Sequence, residues 1–402
     1  MFKSFLVYLP VFFTLSSPKN IIFGIPLTFI LPTLIIIINF FYINKMKIIN
    51  ISSKITLIII LSTFLGIFYS GIFGTIKITS FFLFIASLIL FIVYMSTILI
   101  YLDTNKNSFI KFSKYLFFIL IFFMFIEIIY PYHFINMRGL LYSYENYEQL
   151  VRNEELRNAM FMGGITRPML YFNEPSHLSK LLALTILIYG LNNKFNLNFI
   201  LLFAFTFLIA RSPTIFLLLP FLFLALFSLF QKTNPLRLLI VFLFLFISLM
   251  IMGIIVYIRI EGIIENGSGS LNERFIYPLI YLYENSLSQL LFGFGAGGHG
   301  ELYRYVYDLM AETRPHWGYT NNPITASSAT LIFFGVFGVF GSLLFLILEK
   351  ILIKEKIYFI ILSTSIFLTG YNTPSTFLIL AFVLAIYIYY KNTTKGKKCL
   401  II

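Results

Sequence analysis

Residues 78–131 read ITSFFLFIASLILFIVYMSTILIYLDTNKNSFIKFSKYLFFILIFFMFIEIIYP, and they set the expectation for the whole chain. The segment consists of two long apolar runs, 78–102 and 112–131, joined by a short linker that is rich in lysine. A helix needs about 20 apolar residues to cross a lipid bilayer. The segment therefore predicts two transmembrane helices that are connected on one side of the membrane by a basic turn.

The same pattern recurs along the chain, which has 402 residues. Its hydrophobic fraction is 59%, its charged fraction is 11% and its mean hydropathy is +0.92, whereas soluble domains are about half apolar and a quarter charged. This composition excludes an ordinary cytosolic enzyme, a nucleic-acid-binding protein and a disordered chain. We predict an all-α polytopic integral membrane protein in which residues 1–402 form a single transmembrane domain. The other apolar runs bring the expected total to about eleven or twelve spans, and they lie at 4–17, 21–43, 55–74, 175–191, 197–211, 213–230, 236–258, 323–348, 357–371 and 373–390.

The distribution of lysine predicts the orientation of these spans. If each apolar run crosses the membrane, the short basic linkers all fall on the same side, and an excess of Lys and Arg marks the cytoplasmic side. The net charge of +13 then reflects topology, not a basic surface for nucleic acid. The basic segments are 44–54, 103–114, 192–196, 231–237, 349–356 and the tail from 391 to 398.

Two long polar segments, 132–173 and 259–322, fall on the opposite side. Connections without a function are usually short, and all four histidines lie in or beside these segments. The cations expected on this outer side, in these two segments and at the turn near 211, are mostly arginine, whose planar guanidinium binds phosphate at two points and keeps its charge. The alternative is that each arginine pairs with an acid in a solvated loop. These arginines are Arg138, Arg152, Arg157, Arg167, Arg211, Arg259, Arg274, Arg304 and Arg314.

The first candidate site is the sequence RPMLYFNEPSHLSK at 167–180. Pro175 suits the first turn of a helix, because its missing N–H is not needed there. Glu174, His177 and Lys180 follow one another at intervals of three, which stacks them along one helix face. A glutamate and a histidine at such a boundary can act as a general base and its orienting partner. The alternative is a capped helix start with a lysine that snorkels to the interface.

Arg211 stands between two apolar runs, 197–211 and 213–230, that are almost fused. The turn between them has to lie at the outer mouth of the helices, where a guanidinium has little room to move. Such a fixed charge suits the stabilisation of an anionic leaving group, although a plain helix-end anchor is the alternative. Glu127 lies one turn before Pro131, near the outer end of its span, and we expect it to join the same outer cavity.

The second outer segment contains the next candidate site, which begins with the sequence Asn-Glu-Arg at 272–274. The aromatic stretch that continues to residue 291 predicts an amphipathic helix lying at the membrane interface. The glycine-rich sequence FGFGAGGHG follows at 292–300. No strand precedes it, so it does not predict a dinucleotide site. It serves either as a turn whose amides bind an anion or as a hinge.

The sequence HWGYTNNP at 316–323 leads into the next apolar run. His316 is a candidate base, and Trp317 is a candidate platform for a sugar ring, while a solvated loop is the alternative. This next run contains Gly335 and Gly338, a spacing that permits close packing between helices.

Taken in order, these segments resemble the superfamily of bacterial membrane glycosyltransferases that comprises the O-antigen polymerases (Wzy) and the O-antigen ligases. Residues 167–177 resemble the polymerase segment after the first large periplasmic loop, and Ala-Arg-Ser around Arg211 resembles the arginine turn of the family. Residues 272–295 are similar to the start of the second large loop, and 321–338 to the helix after it.

The resemblance implies an all-helical, GT-C-like enzyme of the bacterial inner membrane, with 132–173 and 259–322 as its two large periplasmic loops. Such an enzyme joins oligosaccharide repeat units carried on undecaprenyl diphosphate at the periplasmic face, without a metal or cofactor. Arg167, Arg211 and Arg274 would bind the donor diphosphate, and Glu174, His177 or His316 would activate the acceptor hydroxyl. The family often has a histidine just before the last of these helices, and this chain has asparagine there. The secondary candidates are Arg152, Arg157, Lys180, His299, Asn321 and Asn322.

The implied partners are the lipid-linked oligosaccharide, as donor and as acceptor, and the surrounding membrane lipid. A chain-length regulator and a flippase are candidate protein partners, and no nucleic acid is expected. One alternative is a ligase, which would use the same donor but transfer the chain to lipid A core or to a protein. A lipid-linked oligosaccharide flippase is the other alternative, and it predicts internal repeats and a charged path through the membrane.

Overall fold

The computed structural model is almost entirely helical in the residues that it describes, which confirms the all-α class. The described residues are 1–16, 21–22, 25–43, 45–73, 78–131, 133–135, 137, 168, 170, 172, 175–193, 206, 250, 287–293, 337–353 and 374–394. In chain order the elements are α1 (Phe2–Ser16), β1 (Ile21–Ile22), β2 (Ile25–Pro26), α2 (Leu27–Tyr42), α3 (Asn50–Phe73), α4 (Ile78–Ile129), α5 (Pro175–Asn193), α6 (Leu287–Phe292), α7 (Gly338–Leu348), a π-helical turn (Glu349–Ile353) and α8 (Pro374–Thr394).

Helices α1, α3, α4, α5 and α8 coincide with apolar runs predicted from the sequence. Within the described ranges, one helix, Phe84–Ile129, is long and apolar enough to cross a membrane by length and composition, and an 18-residue window of it has a mean hydropathy of 2.4. Several other apolar helices there, such as Ile30–Tyr42, are shorter. The predicted runs between 197 and 258, and the run at 357–371, lie outside the described residues except for single positions.

The chain divides into two compact units. The first comprises Met1–Lys45, Thr97–Gly262 and Ile386–Cys399, and the second comprises Met46–Ser96, Ile263–Ala385 and Leu400–Ile402. Helices α4 and α8 therefore each contribute residues to both units.

Helix α4 is sharply bent at Asn105, whose φ of −138° and ψ of 33° are not helical. The rings of Tyr101 and Phe109 lie 6.1 Å apart, whereas a straight helix would separate these positions by about 12 Å along its axis. The predicted break between the two apolar runs is therefore confined to Asn105, and helix continues through the rest of the linker 103–114. Local bonds replace the loop: Thr104 Oγ1 donates to Ile100 O at 3.0 Å, and Asn105 Nδ2 donates to Thr104 Oγ1 at 2.7 Å.

Helix α1 is the centre of the first unit. Its Tyr8 hydroxyl forms a buried hydrogen bond of 2.5 Å with Ser113 Oγ, and the Tyr8 ring stacks on Phe109 at 5.2 Å. Ser4 Oγ and Tyr101 OH form a second buried bond of 2.8 Å. Each of these four buried hydroxyls therefore has a hydrogen-bond partner within the apolar core of the unit.

Cation–π contacts bring the lysine-bearing helix ends of the first unit together. Lys3 Nζ lies 4.8 Å from the ring centroid of Tyr42, at the end of α2. Lys106, beside the bend of α4, lies 5.2 Å from the Tyr390 ring near the end of α8. Each contact contributes about 0.5–1 kcal/mol where it is exposed. Because Ser4 of α1 also bonds to Tyr101 just before the bend of α4, the helix ends that border the predicted linkers 44–54, 103–114 and the tail share one end of this unit.

The second unit packs α7 against α3 and α6. Gly341 of α7 lies so close to α3 that an added Cβ would collide with the Ser62 carbonyl oxygen. The Phe377 ring of α8 contacts the rings of Phe84 and Phe91 at centroid distances of 5.7 and 6.4 Å. In the described part of this unit, α7 therefore packs closely on α3 through Gly341, and aromatic rings add to the packing elsewhere.

Two predicted boundaries also differ from the structure. The sequence predicts the start of a helical span at 21–26, but β1 and β2 pair there as antiparallel strands, with Ile22 opposite Ile25. Gly24 and Pro26 both disfavour a helix interior, which explains the later start of α2. The predicted linker 349–356 begins instead with a π-helical turn, in which Glu349 is buried.

Candidate functional site

Helix α5 carries the first candidate motif, and it begins at Pro175 as predicted. His177 lies in its first turn, and Lys180 lies one turn further on, so the two positions share a helix face. The Lys180 side chain is 0% exposed. The alternative of a lysine that snorkels to an interface is therefore wrong, because the surrounding protein encloses the whole side chain.

Glu127 of α4 holds the segment that leads into α5. Its carboxylate oxygen Oε2 accepts a buried hydrogen bond of 2.6 Å from the backbone N–H of Leu170. Glu127 is 1% exposed and Leu170 is 3% exposed. Leu170 has a φ of +52°, in the left-handed region that leucine rarely adopts. Leu170, near the end of the first predicted outer segment, is thus buried in a strained backbone conformation and is held by the carboxylate of Glu127.

Phe172 provides a second attachment of the same segment. Its side chain is 1% exposed, and its ring meets the ring of Phe12 edge-on at 5.5 Å. Helix α1 also packs directly against α5. Two residues before Glu174, the backbone is therefore already tied to the core of the first unit.

This arrangement lies far from the lysine-bearing end of the unit. Lys114 Nζ lies 5.9 Å from the ring centroid of Tyr189, near the last turn of α5, whereas Glu127 contacts the segment before its first turn. At 1.5 Å per residue, the positions 114 and 127 are about 20 Å apart along the helix. The first unit thus has a lysine-bearing end and an opposite end that carries the motif.

In the second unit, two glycine motifs that were predicted separately contact each other. Gly293 follows α6 with a φ of +70°, and Gly338 begins α7 with a φ of +63°. A Cβ on Gly338 would collide with Gly293 N and would lie 2.6 Å from Leu291 O. Gly293 and Gly338, which flank in sequence the stretch that contains His299, His316 and the asparagine pair, therefore lie in contact.

The contact between these glycines limits the roles open to the glycine-rich turn. The N–H of Gly293 donates to Gln289 O at 2.8 Å. This amide therefore closes the end of α6, as a C-terminal glycine commonly does, and it does not serve an anion. Of the predicted interfacial helix, the described part is α6, whose Leu287 is 73% exposed. The rings of Phe292 and Phe340 lie 5.5 Å apart and add to the contact.

The remaining candidates lie outside the described residues, as does the side chain of His177. Within the ranges that the structure covers, no three His, Cys, Asp or Glu side chains cluster where they can hold a metal ion. The candidates outside are Glu174, His316, Arg167, Arg211, Arg274, Arg152, Arg157, His299, Asn321 and Asn322.

Glu127 was assigned from the sequence to an outer cavity, and its contact with Leu170 was not predicted. The signal was present only in part: a lone acid near a helix end predicts burial, but its partner is a backbone amide with no sequence signature. The contact between Gly293 and Gly338 was also missed, although Gly338 had been predicted to allow close packing between helices and Gly293 to lie in a turn or a hinge.

No family model, curated protein or solved structure matches the chain. The family resemblance therefore rests on the sequence motifs quoted above.

Proposed function

We propose that this chain is a membrane glycosyltransferase that polymerises oligosaccharide repeat units carried on undecaprenyl diphosphate, at the periplasmic face of the bacterial inner membrane. In this proposal the chain is a polytopic, GT-C-like membrane protein with about eleven or twelve spans. Its donor and its acceptor are both lipid-linked oligosaccharides.

One observation carries the proposal more than any other. The motif that begins α5 lies at the end of the first unit opposite to its lysine-bearing helix ends, and the segment before it is anchored through Glu127. An excess of lysine marks the cytoplasmic side of a membrane protein. In this proposal the motif therefore faces the periplasm, where lipid-linked repeats are joined.

The proposed reaction is a single displacement at the anomeric carbon of the donor sugar. The acceptor hydroxyl oxygen forms the new bond to that carbon, and the bond from the carbon to the diphosphate oxygen breaks. The electron pair leaves with the diphosphate, and the hydroxyl proton passes to a general base. One displacement inverts the anomeric configuration.

In the proposed reaction, arginines stabilise the leaving group and a separate residue acts as the general base. Arg211 and Arg274, with Arg167, neutralise the charge that develops on the departing diphosphate, which is a preorganised electrostatic role. Glu174, His177 or His316 accepts the proton. Because guanidinium forks bind phosphate at two points, the proposed mechanism is metal-independent.

Deletion of the gene tests the proposed function directly. In the deletion strain we expect surface polysaccharide with one repeat unit attached to its acceptor and no longer chains, as seen by gel electrophoresis. Complementation with the intact chain should restore the ladder of long chains. Loss of every attached repeat would instead assign the chain as a ligase, and an unchanged ladder would contradict both assignments.

Substitutions at the start of α5 separate chemistry from helix capping. We expect His177→Ala and Glu174→Gln to lower chain extension by about 100-fold where the residue is the base, with thermal stability unchanged. Chain extension is measured with lipid-linked oligosaccharide in detergent, and stability by thermal unfolding of the same samples. A loss of stability in parallel with activity would identify a cap, which is worth about 1 kcal/mol.

A further inference from the structure

The carboxylate of Glu127 is almost completely buried. A carboxylate taken out of water is destabilising unless strong hydrogen bonds compensate. The bond from the Leu170 N–H, at 2.6 Å, is such a compensation, and it is short even for a charge-assisted bond. The two residues are far apart in sequence, so this bond joins a predicted outer segment to the helical core.

The partner of this carboxylate is a strained backbone position. Leu170 has a φ of +52°, and a leucine persists in that conformation only where its surroundings determine it. Loss of the carboxylate at position 127 would remove this buried hydrogen bond of the Leu170 amide to a charged acceptor, and such a loss is costly. The carboxylate therefore selects one conformation of the chain just ahead of α5.

The motif comes shortly after Leu170 in the chain. Phe172 is packed against Phe12, and α5 begins at Pro175. Leu170 and Phe172, which come just before α5 in the chain, are thus both held by contacts within the first unit. The position of the Leu170 backbone thus sets where the first turn of α5 begins.

We propose that Glu127 is a positioning residue, which fixes the start of α5 by holding the Leu170 amide and thereby places the acceptor-activating groups of the site. The effect of Glu127 on the position of α5 concerns the fold alone, whereas its effect on catalysis rests on the proposed function. Glu127 does not contact the substrate in this role.

Hydrogen–deuterium exchange of the purified chain in detergent tests the placement without any substrate. We expect the backbone amides of the peptide that spans residues 168–173 to exchange about 10- to 100-fold faster in Glu127→Leu than in the wild type, because a hydrogen bond to a charged acceptor is lost. Glu127→Gln keeps a weaker acceptor oxygen, and we expect exchange about threefold or more faster there. Unchanged exchange in Glu127→Gln would overturn the proposal even if Glu127→Leu fails to fold.

Glu349 provides the matched control. It is also a buried glutamate, 2% exposed, but it belongs to the second unit. We expect Glu349→Gln to leave the exchange of 168–173 unchanged. If Glu349→Gln accelerates that exchange as much as Glu127→Gln does, the effect is a general loosening and the proposal fails.

Kinetics then test the consequence for catalysis. We expect Glu127→Gln to lower kcat of chain extension by about tenfold, since small displacements of reacting groups are costly, with the KM for the lipid-linked donor changed little. Equal changes of kcat in Glu127→Gln and Glu349→Gln would overturn the positioning role. If the Glu127 variants exchange faster at 168–173 but the wild-type chain transfers no sugar, the proposed function is contradicted. The role of Glu127 in holding Leu170 would still be supported.

Discussion

Arg211→Ala and Arg274→Ala are each expected to lower chain extension by about 100- to 1,000-fold while the chain still inserts into the membrane. The reason is electrostatic. The departing diphosphate gains negative charge in the transition state, and a guanidinium held beside it stabilises that charge more than it stabilises the bound donor. The measurement is the length of polymer formed by membranes that carry equal amounts of each variant.

Two further sets of variants make this expectation specific. Arg211→Lys and Arg274→Lys should restore activity poorly, because an ammonium group lacks the fork that binds two phosphate oxygens. Arg237→Ala, at the one arginine on the predicted cytoplasmic side, should leave chain extension unchanged. Long polymer in cells that express only Arg211→Ala or only Arg274→Ala would contradict the assigned role of that residue.

Gly338→Ala is expected to destabilise the second unit by about 2–4 kcal/mol, measured as a fall in the apparent Tm in detergent. Two effects add. The φ of +63° at Gly338 is costly for alanine, and the new Cβ would lie 2.5 Å from Phe292 C and 2.6 Å from Leu291 O. Backbone atoms cannot move aside as a flexible side chain can, so α6 and α7 have to separate.

Two further variants separate the contribution of the positive φ at Gly338 from that of the collision with the new Cβ. Asparagine tolerates the left-handed conformation but carries a Cβ, so Gly338→Asn should be nearly as damaging if the collision dominates. Gly341→Ala collides with the Ser62 carbonyl instead, and it should lower the Tm without touching residues 291–293. Proteolysis within 294–337 below the Tm should therefore increase in Gly338→Ala and not in Gly341→Ala. An unchanged Tm in Gly338→Ala would contradict the close contact.

Much of the local structure was predictable, because the signals for it are local. Uninterrupted apolar runs predicted α1, α3, α5 and α8, and Pro175 predicted where α5 begins. The bend in α4 was foreseen as a break between two runs, but its size was not. The sequence shows a polar stretch after Asp103, and it does not show that the Thr104 hydroxyl bonds to the Ile100 carbonyl and accepts a hydrogen bond from the Asn105 side chain.

The candidate site was predictable as a set of residues and not as an arrangement. Glu127 was assigned to an outer cavity, but its partner is a main-chain N–H, which is the same for every residue except proline. Gly338 was predicted to allow close helix packing and Gly293 to lie in an anion-binding turn or a hinge, and neither indicated the other as its neighbour. Such pairings depend on how helices pack, which no single segment encodes.

By itself, the sequence determined that this chain is helical, that its lysines and arginines are segregated along it, and which segments carry polar chemistry. These properties follow from composition and from patterns within one helix or one loop. Only the tertiary structure decided that Glu127 holds Leu170, that Gly338 lies on Gly293, and that Lys180 is enclosed. Contacts between distant segments depend on shape complementarity and on backbone groups, and both arise only when the helices come together.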